Sequence, residues 1–329
     1  MRKTILLLFA LFAGLFPAVA QMLPDSTVQV VAYWELGDKQ RYLSESAKYK
    51  VNQGDTTVVE QSVELFEFEV VAAGEDGYRI KVTQLDSQDS DPTRSAINEK
   101  WKERFGPEVY YFETDPNGEF LRVLPIEDLE EKVKLLKEDI TEALLKVHPD
   151  MDRAQLLLLV NQLLSAQSLL TAVEGQFSPL FMYHGSRLDL RQVYTFEDEI
   201  PSIFGQGTIK MNGRFWVDQD MTDDYSVVLL LRKDADQDAL KPFLTGLLGG
   251  VLQSMASQQE GLENVQASIE EAYSNARISL KDYIYEEVHL GTGWPIDWFY
   301  SREIEIEMDG KKEGQVQEMS FRIIGEDEE

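Results

Sequence analysis

The chain has 329 residues, 3 histidines, no cysteine and a formal net charge of −28. The absence of cysteine excludes disulfides, thiolate metal sites and cysteine nucleophiles together. The acidic surplus repels phosphate backbones and anionic lipid surfaces, which argues against nucleic-acid binding and electrostatic docking on membranes.

Residues 1–20 read as a cleavable export leader. Arg2 and Lys3 form a short basic start, an apolar run spans Ile5 to Phe16, and Ala18-Val19-Ala20 gives the small-x-small pattern of a cleavage site. The other reading is a membrane anchor, but the run is about twelve residues where a span needs roughly 20. Cleavage near Ala20 would place the remaining chain in the periplasm or outside the cell. There is no Asn-x-Ser/Thr sequon, which suits a bacterial exported protein. The expected organisation is a single interlocked domain over 21–329, made of a β half (27–124), a helical segment (126–173) and a second β half with a helix (190–325).

In the first β half, Phe66, Phe68 and Val70 alternate with Glu67 and Glu69, the period-2 pattern of a half-buried strand. Gly74-Glu75-Asp76-Gly77 and Asp115-Pro116-Asn117-Gly118 read as turns. Asp86 to Pro92 reads as an exposed polar loop.

Over 126–173 the spacing predicts two helices. The first carries an apolar stripe from Ile126 through Val133 and Ile140 to Val147, and Pro149 ends it. The second, capped by Asp150, is apolar nearly all round through Leu156 to Val160, Leu163, Leu164, Leu169 and Leu170. It is expected to be buried between layers or to cover a cavity.

In the second β half, Asn212-Gly213 gives the strongest local hairpin signal. Val227 to Leu231 is apolar on both faces, so that strand should be covered on both sides. An amphipathic helix begins near residue 238 with Leu240, Phe243, Leu244 and Leu247, and a further helical stretch runs to about Ala276. Three strands close the chain, with a turn over Asp309 to Gly314. The order of strands, helices, strands, helix and strands predicts an α+β fold on a curved, largely antiparallel sheet, with the helices packed on or over it. The two β halves could be a diverged duplication.

In element order and helix hydrophobicity the chain resembles the periplasmic carriers of lipids and lipoproteins, and exported β-rich envelope proteins of Gram-negative bacteria. The resemblance implies a half-barrel with an apolar concave face lidded by helices. It carries over no functional residue.

Candidates for chemistry are few. His184, in Tyr183-His184-Gly185-Ser186-Arg187-Leu188-Asp189, is the histidine with the most promising neighbours. Triad members are assembled in space, however, and rarely from so short a stretch. No Gly-x-Ser-x-Gly elbow accompanies it. His148 reads as a helix C-terminal cap and His289 as an exposed or edge strand position. Asp234, Asp236 and Asp238 mimic the first half of a calcium loop, but Ala239 and Thr245 replace its glycine and its distal glutamate; capping a helix start is the competing role. Asp218, Asp220, Asp223 and Asp224 form a second acidic turn. With 59 acids some carboxylate pair is inevitable in space.

No cofactor is expected. The reading favours binding over catalysis, with an apolar or lipid-like ligand, or a protein partner segment, in a groove lined by Leu159, Leu163, Phe243, Leu247, Trp294 and Trp298. For the two tryptophans, core packing is the alternative role. The rival functional reading is an interaction or scaffold protein with a filled core. A hydrolase using His184 ranks behind both.

Overall fold

The computed structural model describes residues 22–23, 26–201, 208–223, 225–235, 240, 277–308 and 310–325. The export leader and the amphipathic stretch from 241 to 276, with Phe243 and Leu247, lie outside the described residues.

One open antiparallel sheet dominates. Eleven strands follow one another as a meander: β3 (Lys39–Asn52), β4 (Asp55–Gly74), β5 (Gly77–Asp89), β6 (Val109–Thr114) and β7 (Phe120–Val123) in the first half, then β9 (Val193–Pro201), β10 (Thr208–Val217), β11 (Ser226–Ala235), β12 (Arg277–His289), β13 (Pro295–Met308) and β14 (Lys311–Ile323). In space the order is β7-β6-β5-β4-β3-β14-β13-β12-β11-β10-β9, so the last strand pairs with β3 and joins the two runs. A small second sheet contains β1 (Met22–Leu23), β2 (Thr27–Gln29) and β8 (Arg187–Asp189). The expected α+β class with a curved antiparallel sheet is what is found.

The turns at Gly74–Gly77 and Asp115–Gly118 form as expected. In the second, the Asp115 carboxylate accepts from the backbone N–H of Asn117 and of Glu119. Gly118 takes a positive φ there.

Four helices are described. α1 (Pro92–Phe105) lies inside the region read as all β, which corrects that reading. The local signal was present: Asp91 accepts from Thr93 N–H and Pro92 opens the first turn. With no buried residue, α1 has no apolar stripe to announce it.

α2 (Leu129–Val147) matches the expected stripe, burying Leu129 and Val133. The expected second helix is two. α3 (Arg153–Leu163) ends before Ser165, which caps α4 (Ala166–Phe177) in a reciprocal capping box with Ser168. Nor is α3 buried all round. Leu156 and Val160 are buried, while Leu158 (61 %), Leu159 (47 %) and Leu163 (72 %) stand exposed. Among the described elements its main packing partner is α2.

Asn212-Gly213 is not a hairpin. Both residues lie in mid-strand in β10, with Gly213 opposite Phe196 of β9 and Lys233 of β11. A Cβ on Gly213 would fall 2.3 Å from a Phe196 ring carbon. The glycine is there to admit an aromatic ring across the strand, a use that local turn rules do not see. The last turn is also tighter than expected, since β14 already starts at Lys311. His289 lies at the end of β12, an interior strand and not an edge. His148 sits at the C-cap of α2, its N–H bonded to the Leu144 carbonyl.

Candidate functional site

The inner face of the sheet is the one α4 packs against, and its character changes along the strands. The first zone is aromatic. Phe177 of α4 meets Phe66 and Phe68 of β4, each at 5.5 Å between ring centroids. Trp34 stacks on Trp294 at 4.5 Å, with Phe181 at 5.7 Å from Trp34. Trp294 and Trp298 are buried in this cluster, so they are core residues. They do not share a groove with Leu159 and Leu163, which are exposed on α3.

Strand register fixes the next zones. The row Leu229–Glu286–Trp298–Phe321–Ser44 crosses five strands inside the core. Glu286 is fully buried, and neither carboxylate oxygen has a hydrogen-bond partner among the described residues. Burial alone pushes its carboxyl far above the usual carboxylate range. The phenols of Tyr42 and Tyr183 are both raised by burial, with Glu286 as a second cause.

Two rows further on, Gly213–Lys233–Asp282–Arg302–Gln317–Lys48 forms a polar belt across the sheet. Arg302 grips the buried Asp282 with two bonds of 2.7 Å, the fork geometry that suits guanidinium and carboxylate. Lys233 pairs with Asp198 at 2.5 Å.

Beyond the belt the inner face is apolar again, with Ile209, Met211, Ile278, Leu280 and Leu240 buried and Ile304 and Ile306 against them. A hollow of about 410 Å³ opens here, floored by Ile304 and Ile306 and edged by Lys50, Arg302, Glu313, Gln315 and Gln317. An apolar floor beside polar and charged side chains can receive an amphipathic molecule, with the tail on the isoleucines and a polar head toward Lys50, Arg302 being already engaged by Asp282. The signal for it lay in the alternation of Arg302, Ile304 and Ile306, but nothing in the sequence alone puts Lys50 beside them.

A second polar cluster closes the other side of the aromatic zone. Glu64 accepts from Gln84 (2.7 Å) and from Gln176 of α4 (3.2 Å). Tyr110 donates to Glu108. Burial raises both carboxyls, and Glu108 adds to the shift of Glu64. Glu108 and Gln84 line a hollow of about 230 Å³ between β5 and α1.

His184 does not build an active site. Its ring is buried, and Nε2 donates to the Gly293 carbonyl at 2.7 Å. Trp34 and Phe181 pack on it. Nδ1 has no hydroxyl or carboxylate within hydrogen-bond reach among the described residues. Burial lowers the imidazole to about 4, so it is neutral at physiological pH. Neither Ser186 nor Asp189 reaches it.

Asp234 is engaged by Arg232 in its own strand, while Asp236 and Asp238 lie outside the described residues. Asp218 accepts from the N–H of Asp220 and Met221, and Asp223 from that of Tyr225 and Ser226. These two carboxylates thus hold the β10–β11 turn. Among the described residues no group of three His, Cys, Asp or Glu is placed to hold a metal.

No family model matches the sequence, and no curated protein matches it. Among solved structures, one of lipovitellin, described for its lipid–protein interactions, gives a TM-score of 0.37 at 10% identity, covering 88% of this chain and 25% of that one. The chain thus spans a quarter of that protein's length. Ail, the attachment invasion locus protein of Yersinia pestis, gives a TM-score of 0.15 at 5% identity in its complex with the heparin analogue sucrose octasulfate. A second Ail structure gives 0.14 at 6%, and each covers 88% of this chain and 100% of Ail. At these scores the likeness carries no argument about function.

Proposed function

We propose that this is an exported, non-catalytic protein that holds an amphipathic ligand, or an apolar segment of a partner, on the inner face of its sheet. The observation that carries the reading is the hollow over Ile304 and Ile306, with Arg302 and Lys50 at its edge. Mixed lining of this kind, apolar with a few convergent polar groups, is the usual character of a ligand site. The aromatic zone supplies rigidity, not a cavity. Export rests on the leader pattern of residues 1–20 and on the acidic, cysteine-free composition. One observation favours the rival reading of a scaffold with a filled core: Trp294 and Trp298, expected at the groove, are packed solid.

The test is native mass spectrometry of the protein purified from its own host, followed by dodecanoate titration of the delipidated chain. Saturable binding that Ile304→Glu abolishes supports the ligand reading. A protein that carries no lipid and takes up no dodecanoate supports the scaffold. Cleavage near Ala20 is read from the N-terminal sequence of the same preparation.

A further inference from the structure

The outer face of β12 and β13 carries aromatic rings where a solvent-facing strand normally alternates to polar residues. Tyr285 stands opposite Phe299, which stands opposite Ser320, which stands opposite Glu45. The row on one side is Glu287–Asp297–Arg322 and the row on the other is Tyr283–Ser301–Glu318. Tyr283 is 38 % exposed. A shallow depression of about 490 Å³ is bounded by Tyr283, Tyr285, Phe299, Asp297, Arg322 and Glu45.

Two features select the ligand chemistry. The rings of Tyr283 and Phe299 are 6.4 Å apart and inclined at 57°, so they make no flat platform for a sugar ring. A ring face left open to the depression carries the negative side of its quadrupole, which attracts a cation laid over it. The charges around them point the same way. Glu45, Glu287, Asp297 and Glu318 outnumber Arg322, and Arg232 beside Tyr283 is already gripped by Asp234. Burial raises the Asp297 carboxyl, and crowding by Glu287 adds to it, more than Arg322 offsets. Tyr285 donates to Glu287 at 3.2 Å, which fixes the phenol beside that carboxylate. The whole chain at −28 draws basic partners over longer range.

We propose that this face docks a basic polypeptide segment, with an arginine or lysine side chain laid against Tyr283, Tyr285 and Phe299 and neutralised by Asp297 and Glu287. The site lies on the opposite face of the sheet from the ligand hollow, so it stands or falls independently of that reading.

The test is calorimetric titration of the full exported chain with a dodecapeptide alternating arginine and glycine, beside the same peptide with citrulline for arginine. The proposal expects saturable binding of the arginine peptide alone. It expects at least a roughly fivefold loss of affinity in Tyr285→Thr and in the pair Glu287→Gln with Asp297→Asn, substitutions that keep strand-compatible residues. The control pair Glu75→Gln with Asp76→Asn removes the same charge in the β4–β5 turn. If the control pair weakens binding as much, the attraction is net charge only and the site is overturned. Equal binding of the citrulline peptide overturns it as well. So does preference for phosphatidylcholine vesicles or maltohexaose over the arginine peptide. Near-ultraviolet circular dichroism of each variant identifies any that misfolds; a variant with a lost aromatic signature is replaced by Phe299→Thr.

Discussion

His184 Nε2 lies 2.7 Å from the carbonyl oxygen of Gly293, and both residues are locked in place. A carbonyl only accepts, so the bond fixes the proton on Nε2 and leaves Nδ1 unprotonated. Gly293 has φ of +76°, and a Cβ there would sit 2.4 Å from the Val31 carbonyl oxygen. The histidine therefore ties the segment before β8 to the turn between β12 and β13, which is a structural role.

The first prediction follows from the burial of that ring, which outweighs the opposing effect of the Gly293 bond. The folded imidazole is held down to about 4, from an ordinary value near 6.5. Between those values the unfolded chain takes up a proton and the folded chain does not. Stability is thus full above pH 6.5 and falls as pH drops toward 4, by roughly 3 kcal/mol in all. His184→Gln can keep a donor for Gly293 without titrating. Urea unfolding of both proteins at pH 7 and pH 4.5 should show the variant losing less on acidification. An equal loss in both would mean that other groups set the acid limit.

The second concerns Glu286, whose shift has the opposite consequence. Its folded carboxyl is raised by burial, so the folded state holds its proton more tightly than the unfolded one. Its contribution is full below the unfolded value and declines as pH rises toward the folded value, by up to about 1.4 kcal/mol per pH unit. Glu286→Gln removes the titration. The variant should gain on the wild type steadily as pH is raised from 5 to 8. A constant difference over that range would show that the carboxyl is not buried as described.

The third tests the glycine of β10. Gly213→Ala should destabilise by about 1–3 kcal/mol, because the new methyl strikes the Phe196 ring. Adding Phe196→Ala should recover part of that loss, so the double-mutant cycle gives a coupling of about 1 kcal/mol or more. Were Gly213 in a turn, the two substitutions would act independently.

How far the sequence could be read follows from what each signal depends on. The strand around Phe66 to Val70 was legible because alternation is a local pattern that burial on one face enforces. The meander turns were legible where glycine needs a positive φ, as at Gly77 and Gly118. Asn212-Gly213 misled because a glycine can also be selected by a ring across the strand, and that partner lies seventeen positions away in the chain. α1 was missed because a helix with no fully buried residue carries no apolar stripe. The site was the least legible part. Lys50 and Ile304, or Glu45 and Phe299, come together only through the β14–β3 pairing, which joins the two ends of the chain. Leu159 and Leu163 were read as groove residues from the apolar run, but both stand exposed on α3 among the described residues.

The openness of the sheet has its own consequence. An antiparallel sheet that does not close leaves two rows of unpaired backbone groups, each a template on which another chain could grow. At one end the template is β7, only four residues long. At the other it is β9, which carries Glu197, Asp198 and Glu199 in succession and ends on Pro201. Any strand adding there would have to desolvate that acidic run and would find no N–H at its terminus. Among the described residues both edges of the sheet are thus guarded, one by brevity and the other by charge, which works against edge-to-edge addition of another chain.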